Sequence, residues 1–453
     1  MLNIQQLEQK WGDLLEAEDA PKFKSKLRRN TTAILLENEE RALVEQNGQT
    51  SYQGINEDGG VGNMNTQAGI STWDPVLISL VRRSMPNLIA YDVAGVQAMT
   101  APSQLIFAMR AKYPAANLTT TNTDTGAQSY YATGATDEAL FDEIRQHAPA
   151  SDTMDVEGDA FNQMGFTVDK INVVAKARQL KAEYTMELAQ DLKSIHGLDA
   201  EAELANILST EILAEINQEI IGGITSTGVT GGNAGKVTAD FTDAAGNSYT
   251  VGATIEGAAY AALTVAERAN VAGYYDLQLA DGRWAEEKFR SLLFQIELEA
   301  NAIARTTRRG KGNFLICSAN VASALAAAGV MTYAPDLQNA LEVDATGNTF
   351  AGTINGRMKV FVDPYSSSDY CTVGYKGANG YDAGIFYCPY VPLTMLRAQA
   401  ENTFQPKIAF KTRYGLVVNP FVAAGTDGSI GSAAKKNVYF RTFKVLNIFD
   451  TTT

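Results

Sequence analysis

The chain holds two histidines, His147 and His196, so imidazole-based general-base or triad chemistry would have to run through one of them. Neither sits beside a nucleophile motif. The sequence contains no His-Glu-x-x-His, no Gly-x-Ser-x-Gly and no glycine-rich phosphate loop in a suitable context. "RRGKGNF", residues 308–314, has two glycines and a lysine without phosphate-loop spacing, and reads as a helix stop. Cys317, Cys371 and Cys388 are sparse, odd in number and lack Cys-x-x-Cys spacing. They point to buried free thiols, not to a disulfide framework or a zinc site. "NTDTGAQ" and "TDAAGNS" put oxygen side chains near glycine but lack the alternating ligands ending in Glu that a calcium loop needs, so both read as turns. Glu286 and Glu287, adjacent on a helix, point apart and cannot share a substrate. The expectation is a protein with no catalytic centre, cofactor or metal, whose work is done by surfaces.

The elements that would carry such surfaces are legible in part. The chain of 453 residues, 45% apolar, is long enough for two or three domains with a sizeable core. Its formal net charge of −14 disfavours gripping nucleic acid. "RSMPNLIAYDVAGVQAMTAPSQLIFAMRAKY", residues 83–113, is rich in apolar side chains yet fails as a membrane span. Asp92 near its middle would cost roughly 3 kcal/mol, and Gly95 and Pro102 break a helix. "MLNIQQLEQKWGDLLEAEDAPKF" lacks the basic start and apolar block of a secretory signal, so the chain reads as soluble and intracellular.

Ile4, Leu7, Trp11, Leu14 and Leu15 mark one helical face, and "SKLRRNTTAILLENEERALVEQ" marks a second, charged helix. A Gly/Asn/Gln-rich linker follows, giving the front piece the look of a detachable arm. "LIAYDV" and "QLIFAMRAKY" read as extended segments, residues 111–175 as a projecting loop or hairpin, and "GFTVDKINVVAKARQLKAEY" as the strand leading back. The clearest helix starts after Asp199, with Leu204, Leu208, Ile212, Ile216 and Ile220 on one face, and is expected to end at Gly222 and Gly223, on the order of 30 Å long. A second helix places Phe289, Leu293, Ile296 and Ile303 on one face, and from "NGRMKVFVDPY" onward the chain is strand after strand. Helices early and strands late predict an α+β fold.

Several long blocks carry a family likeness. "MPNLIAYDVAGVQAMTAPSQLIFAMRAKY", "GRWAEEKFRSLLFQIELEANAIA", "YCTVGYKGANGYDAGIFYCPYVPL" and "FQPKIAFKTRYGLVVNPF" closely resemble, in the same order, stretches of the major capsid proteins of T-even-like tailed bacteriophages. The resemblance implies the HK-ninety-seven-like capsid fold. Residues 1–57 would be a scaffold-interacting propeptide and linker, 58–110 an N-arm and 111–178 an extended loop. Residues 179–222 would form the peripheral domain with its spine helix, 223–400 the axial domain, and 401–453 the returning peripheral strands. It further implies hexamers in an icosahedral shell around double-stranded DNA that is enclosed without specific binding, with no membrane involved.

The partners implied are a vertex protein, an internal scaffold, a prohead protease, a portal and decoration proteins. The location implied is the virion capsid, assembled in the host bacterial cytoplasm. A protease of this family cuts after Glu in an apolar-x-Glu context, which Ile55, Asn56 and Glu57 match, with the cut before Asp58. Leu43, Val44 and Glu45 match too, but inside a predicted helix, where cutting needs local unfolding. Leu88, Ile89, Leu105 and Phe107 are expected to be covered in the assembled shell. The alternatives are a vertex paralog of the same family or a non-viral surface protein.

Overall fold

The computed structural model describes residues 7–8, 10–12, 26–49, 88–112, 165–231, 241–242, 248–249, 273–277, 284–329, 331–333, 349–378, 380–399, 405–420, 422, 428–446 and 448. In chain order these form α1 (Lys26–Gln49), α2 (Ala90–Val93), β1 (Gly95–Val96), β2 (Ser103–Lys112), β3 (Gly165–Val174), β4 (Lys176–Glu183), α3 (Met186–Ile195), α4 (Ala200–Thr227) and β5 (Gly228–Thr230). There follow the short strands β6 (Phe241–Thr242), β7 (Ser248–Tyr249) and β8 (Tyr274–Asp276), then α5 (Ala285–Thr307), β9 (Phe314–Ser318), α6 (Ala319–Ala327) and β10 (Met331–Tyr333). The chain ends in β11 (Thr349–Ile354), β12 (Met358–Asp363), β13 (Tyr370–Gly374), β14 (Ile385–Gln399), β15 (Pro406–Val418) and β16 (Asn437–Leu446). The class is α+β, as the order of helical and strand patterns predicts.

Two larger sheets organise the body. One has the order β1-β14-β15-β4 and the other β10-β11-β12-β9-β13-β16-β5, with β8 also pairing β16. Strand β14, expected in the axial domain, pairs antiparallel with β15 from Ile385↔Val418 to Gln399↔Pro406, while β16 joins β13. Alternating burial along a strand tells which residues face inward, but not which neighbour supplies the hydrogen bonds.

Helix α4 packs against β4, β15 and β16. Asp199 caps it as expected, its carboxylate accepting from the Glu201 N–H at 3.1 Å. The helix then runs past Gly222 and Gly223 to Thr227, which corrects the predicted stop. A glycine inside a helix costs only about 1 kcal/mol. Buried Gly223 lies so close to Ile430 that an added Cβ would sit 3.2 Å from its Cδ1, so the small residue serves packing there. The Thr225, Ser226 and Thr227 hydroxyls turn back onto the carbonyls of Ile221 and Gly223, closing the last turn.

Helix α5 buries Leu292, Ile296, Ala300 and Ile303 against the larger sheet, where all of β9 is covered. Arg308, in the left-handed region at φ 54°, ends it.

Candidate assembly site

The apolar stretch after Met85 splits into two parts with different fates. Leu88 (1% exposed) and Ile89 (2%) lie in the core shared by α4, β14 and β15, and the Ile89 N–H donates to Asn217 Oδ1 at 3.3 Å. The next residues wind into the short helix α2 and are not extended, which corrects the reading of "LIAYDV". A four-residue turn carries no periodicity of its own. Asp92 leaves it to meet Arg28 at 3.0 Å and Lys359 at 3.3 Å, and the Lys376 ammonium donates to the Tyr91 carbonyl. Strand β1 then enters the sheet parallel to β14, at a place where a Cβ on Gly95 would fall 2.6 Å from the Gly380 carbonyl oxygen. The Met99 N–H donates to Pro389 O at 2.8 Å, and the chain departs as β2.

Strands β2 and β3 form a two-stranded antiparallel ribbon, in unbroken register from Ser103↔Val174 to Lys112↔Gly165. Ile106, Ile171 and Val173 turn inward onto Met99, Phe386, Cys388 and Val417. The ribbon can lie down because β15 carries Gly415 beneath it, where a Cβ would meet Val173 Cγ1 at 2.4 Å. Side chains alternate across a strand, so the opposite face presents Leu105 (41% exposed) and Phe107 (54%), joined by Val168 and Val174. The expectation of burial at an interface thus narrows to Leu105 and Phe107, because Leu88 and Ile89 are already covered by their own chain. Between residues 112 and 165 the expected extended loop lies outside the described residues.

Sequence reading missed two further uncovered apolar surfaces. Helix α3 starts at Thr185, whose hydroxyl accepts from the Leu188 N–H at 3.3 Å, and buries no residue at all. Met186, Leu188 and Ile195, with Leu198 and Ile207 close by in sequence, are exposed. Trp284, Phe294 and Leu298 of α5 and its N-cap form the other. The amphipathic spacing of "MELAQDLKSI" was the available signal, but an apolar helix face reads the same whether its own chain or another covers it.

Polar groups inside the body are tied to one another. Arg178 of β4 reaches Glu215 at 2.5 Å and Glu219 at 2.6 Å on α4, and donates from Nε to the Tyr414 hydroxyl at 2.9 Å, while that hydroxyl donates to Glu219. Arg178, Glu219 and Tyr414 line a cavity of about 400 Å³ with Lys176, Ser429 and Gly431. The network ties α4 to β4 and β15. Burial, and then the hydrogen bond to Glu219, push the Tyr414 hydroxyl well above its ordinary range, so it stays a donor at any physiological pH. Cys317 and Cys371 face each other across β9 and β13 as buried free thiols. Burial first, and then the charge of Asp363, push Cys317 up to about 12, which leaves it protonated and a poor nucleophile. Among the described residues no group of three or more His, Cys, Asp and Glu could hold a metal ion. His196 forms the C-cap of α3 and His147 lies outside the described residues.

Comparison with known proteins fits a site made of faces. The family model for the major capsid protein Gp23 matches residues 70–254 and 254–445. The major capsid protein of Serratia phage KSP90 is 36% identical, covering 92% of this chain and 94% of the relative. That of Enterobacteria phage T4 is 34% identical, covering 97% and 98%. The chain belongs to the Gp23 major capsid protein family. It is a subunit of a tailed-phage head shell, and its α+β fold is that of a capsid protein. The capsid vertex protein of phage T4 is 28% identical and covers 57% of this chain and 54% of the relative, so the likeness to major capsid proteins reaches further than the likeness to the vertex paralog.

As a Gp23-family member the chain has a notable front piece. Leu7, Trp11, Ala33, Leu35 and Leu36 share one core with Leu88, Ile89 and Tyr91, and α1 packs along β14. The described part of residues 1–57 is therefore docked on the body. Ile55, Asn56, Glu57 and Asp58 lie outside the described residues, and Leu43, Val44 and Glu45 fall within α1. No helix among the described residues is long and apolar enough to cross a membrane.

Proposed function

We propose that copies of this chain assemble as hexamers into an icosahedral shell that encloses double-stranded DNA, with the β2–β3 ribbon of one copy lying on its neighbour. The observation that carries this reading is the outer ribbon face, where Leu105, Phe107, Val168 and Val174 stand exposed on a well-paired element. Isolated apolar residues on a surface are ordinary, but four on one face of a ribbon mark a contact. The bare α3 helix is a matching surface. Contacts of standard size bury roughly 1,600 Å², so many repeated ones hold a shell without any dominant residue. The negative balance of the chain suits a wall that does not adhere to its DNA.

In this reading residues 58–110 form the N-arm, 111–178 the extended loop, and α4 the spine of the peripheral domain. A vertex protein fills the corners, with a portal at one of them and decoration proteins on the outside. Assembly takes place in the host cytoplasm on an internal scaffold, and a prohead protease then cuts between Glu57 and Asp58. Electron microscopy of the purified chain, expressed with and without a scaffold, tests the assembly. Closed shells, tubes or hexameric rings are expected, and a stable inert monomer under both conditions overturns it. Mass spectrometry of mature particles tests the cut, with Asp58 as the expected first residue.

A further inference from the structure

Helix α1 is fastened to the body by a few polar contacts around an apolar stretch. Near its start Arg28 pairs with Asp92 at 3.0 Å, and near its middle Asn38 Nδ2 donates to the carbonyls of Met99 at 2.6 Å and Tyr390 at 2.9 Å. Between them Ala33, Leu35 and Leu36 enter the core. The residue after Asn38 breaks this pattern. Glu39 is 3% exposed, and among the described residues neither carboxylate oxygen has a hydrogen-bond partner.

A carboxylate buried in this way is costly unless it is paired or neutral. The charged groups around it are committed elsewhere. On α1 itself, Arg28 holds Asp92, and Glu37 holds Lys10 at 2.9 Å and Arg41 at 3.6 Å; Arg29 also lies on this helix. On the 88–96 segment Asp92 is taken by Arg28 and Lys359, and Tyr91 is buried beneath the Arg28 guanidinium. The one charged side chain of β14, Arg397, pairs with Glu201 at 2.7 Å.

We infer that α1 is a proton-gated strap: with Glu39 neutral it stays docked along β14, covering Leu88 and Ile89, and ionisation of Glu39 releases it. Burial pushes the Glu39 carboxyl up from 4.5 to about 8. The docked helix therefore binds a proton that the released helix gives up between these two values. Docking is strongest below pH 4.5, weakens as pH rises through that window, and stops changing above about 8. Histidine does not blur the window, since α1, β14 and residues 88–99 contain none. Burial, together with Arg28 and Lys359, holds the Lys376 ammonium down at about 8 although Asp92 opposes the shift, so it titrates only at the alkaline edge. The gate stands whether or not the segment is later cut.

Hydrogen exchange followed by mass spectrometry on the full-length chain between pH 5 and 9 tests it. After correction for intrinsic exchange, protection of residues 26–49 should fall by up to about tenfold per pH unit between pH 5 and 8, while that of β15 holds as an internal control. In Glu39→Gln, which carries no ionisable group, protection of the helix should stay level across the range. A wild-type helix that tracks β15 at every pH overturns the gate without recourse to any variant. So does a Glu39→Gln chain, with β15 protected, that keeps the wild-type pH dependence.

Discussion

Residues 88–99 and residues 103–107 are both rich in apolar side chains and separated by three residues, yet the first group is largely sealed inside the subunit while Leu105 and Phe107 of the second face outward on the ribbon. The first turns through α2 and enters a sheet already walled by α1 and α4, so its side chains find neighbours on every side. The second pairs with one strand only, and a two-stranded ribbon has two faces of which the body covers one. Hydrophobicity measures how strongly a side chain avoids water. It does not say whether its own chain or another will cover it. The boundary between covered and uncovered apolar side chains in this protein thus falls within a single short stretch of sequence.

Four variants probe that boundary, in falling order of expected effect on the lone subunit. Leu88→Ala should cost about 2–5 kcal/mol, as buried leucine truncations do, and chemical denaturation should show a lower midpoint; a loss under 1 kcal/mol would erase the contrast. Gly415→Ala drives a methyl to within 2.4 Å of Val173. A cost of about 1–3 kcal/mol is expected, with faster exchange in β3 than in β14 because the ribbon lifts first. Thr185→Ala removes the α3 cap and should cost about 1 kcal/mol, visible as faster exchange in residues 186–195 and little change elsewhere. The double change of Leu105→Ser with Phe107→Ser should leave the denaturation midpoint of the subunit within about 0.5 kcal/mol of wild type. The same chain should fail to form shells or tubes by electron microscopy, and intact particles at wild-type yield would refute the ribbon contact.

How far the sequence reaches can be judged element by element. Helix α4 was legible because Asp199 and the four-residue repeat from Leu204 to Ile220 are local signals, β9 because its apolar run leaves few other options, and β15 because apolar and polar residues alternate along it. The run past Gly222 and Gly223 was not legible, since two glycines read locally as a stop, and the close approach of Ile430 to Gly223 comes from some two hundred positions away. Strand β16 showed itself as a strand but not as a partner of β13, because pairing is chosen by tertiary contact. For the site, Leu105 and Phe107 could be picked from alternation, whereas Leu88 and Ile89 could be assigned to the core only once α1 was seen packed in the same cluster. The charged pattern of α1 suggested a free arm. Among its buried residues, Ala33, Leu35, Leu36 and Asn38 fix it to the body instead.

The seat of the ribbon at Gly415 has a mechanical consequence. Ten paired residues at about 3.4 Å each make a lever on the order of 34 Å long, anchored where Val173 rests on β15. A pull at its far end arrives at β15 one residue from Tyr414. From there the Tyr414–Glu219 and Arg178 bonds hand it to α4. Tension between neighbouring subunits would then travel along a line of hydrogen bonds into α4, the longest of the described helices, and on to β16 of the second sheet, against which that helix packs.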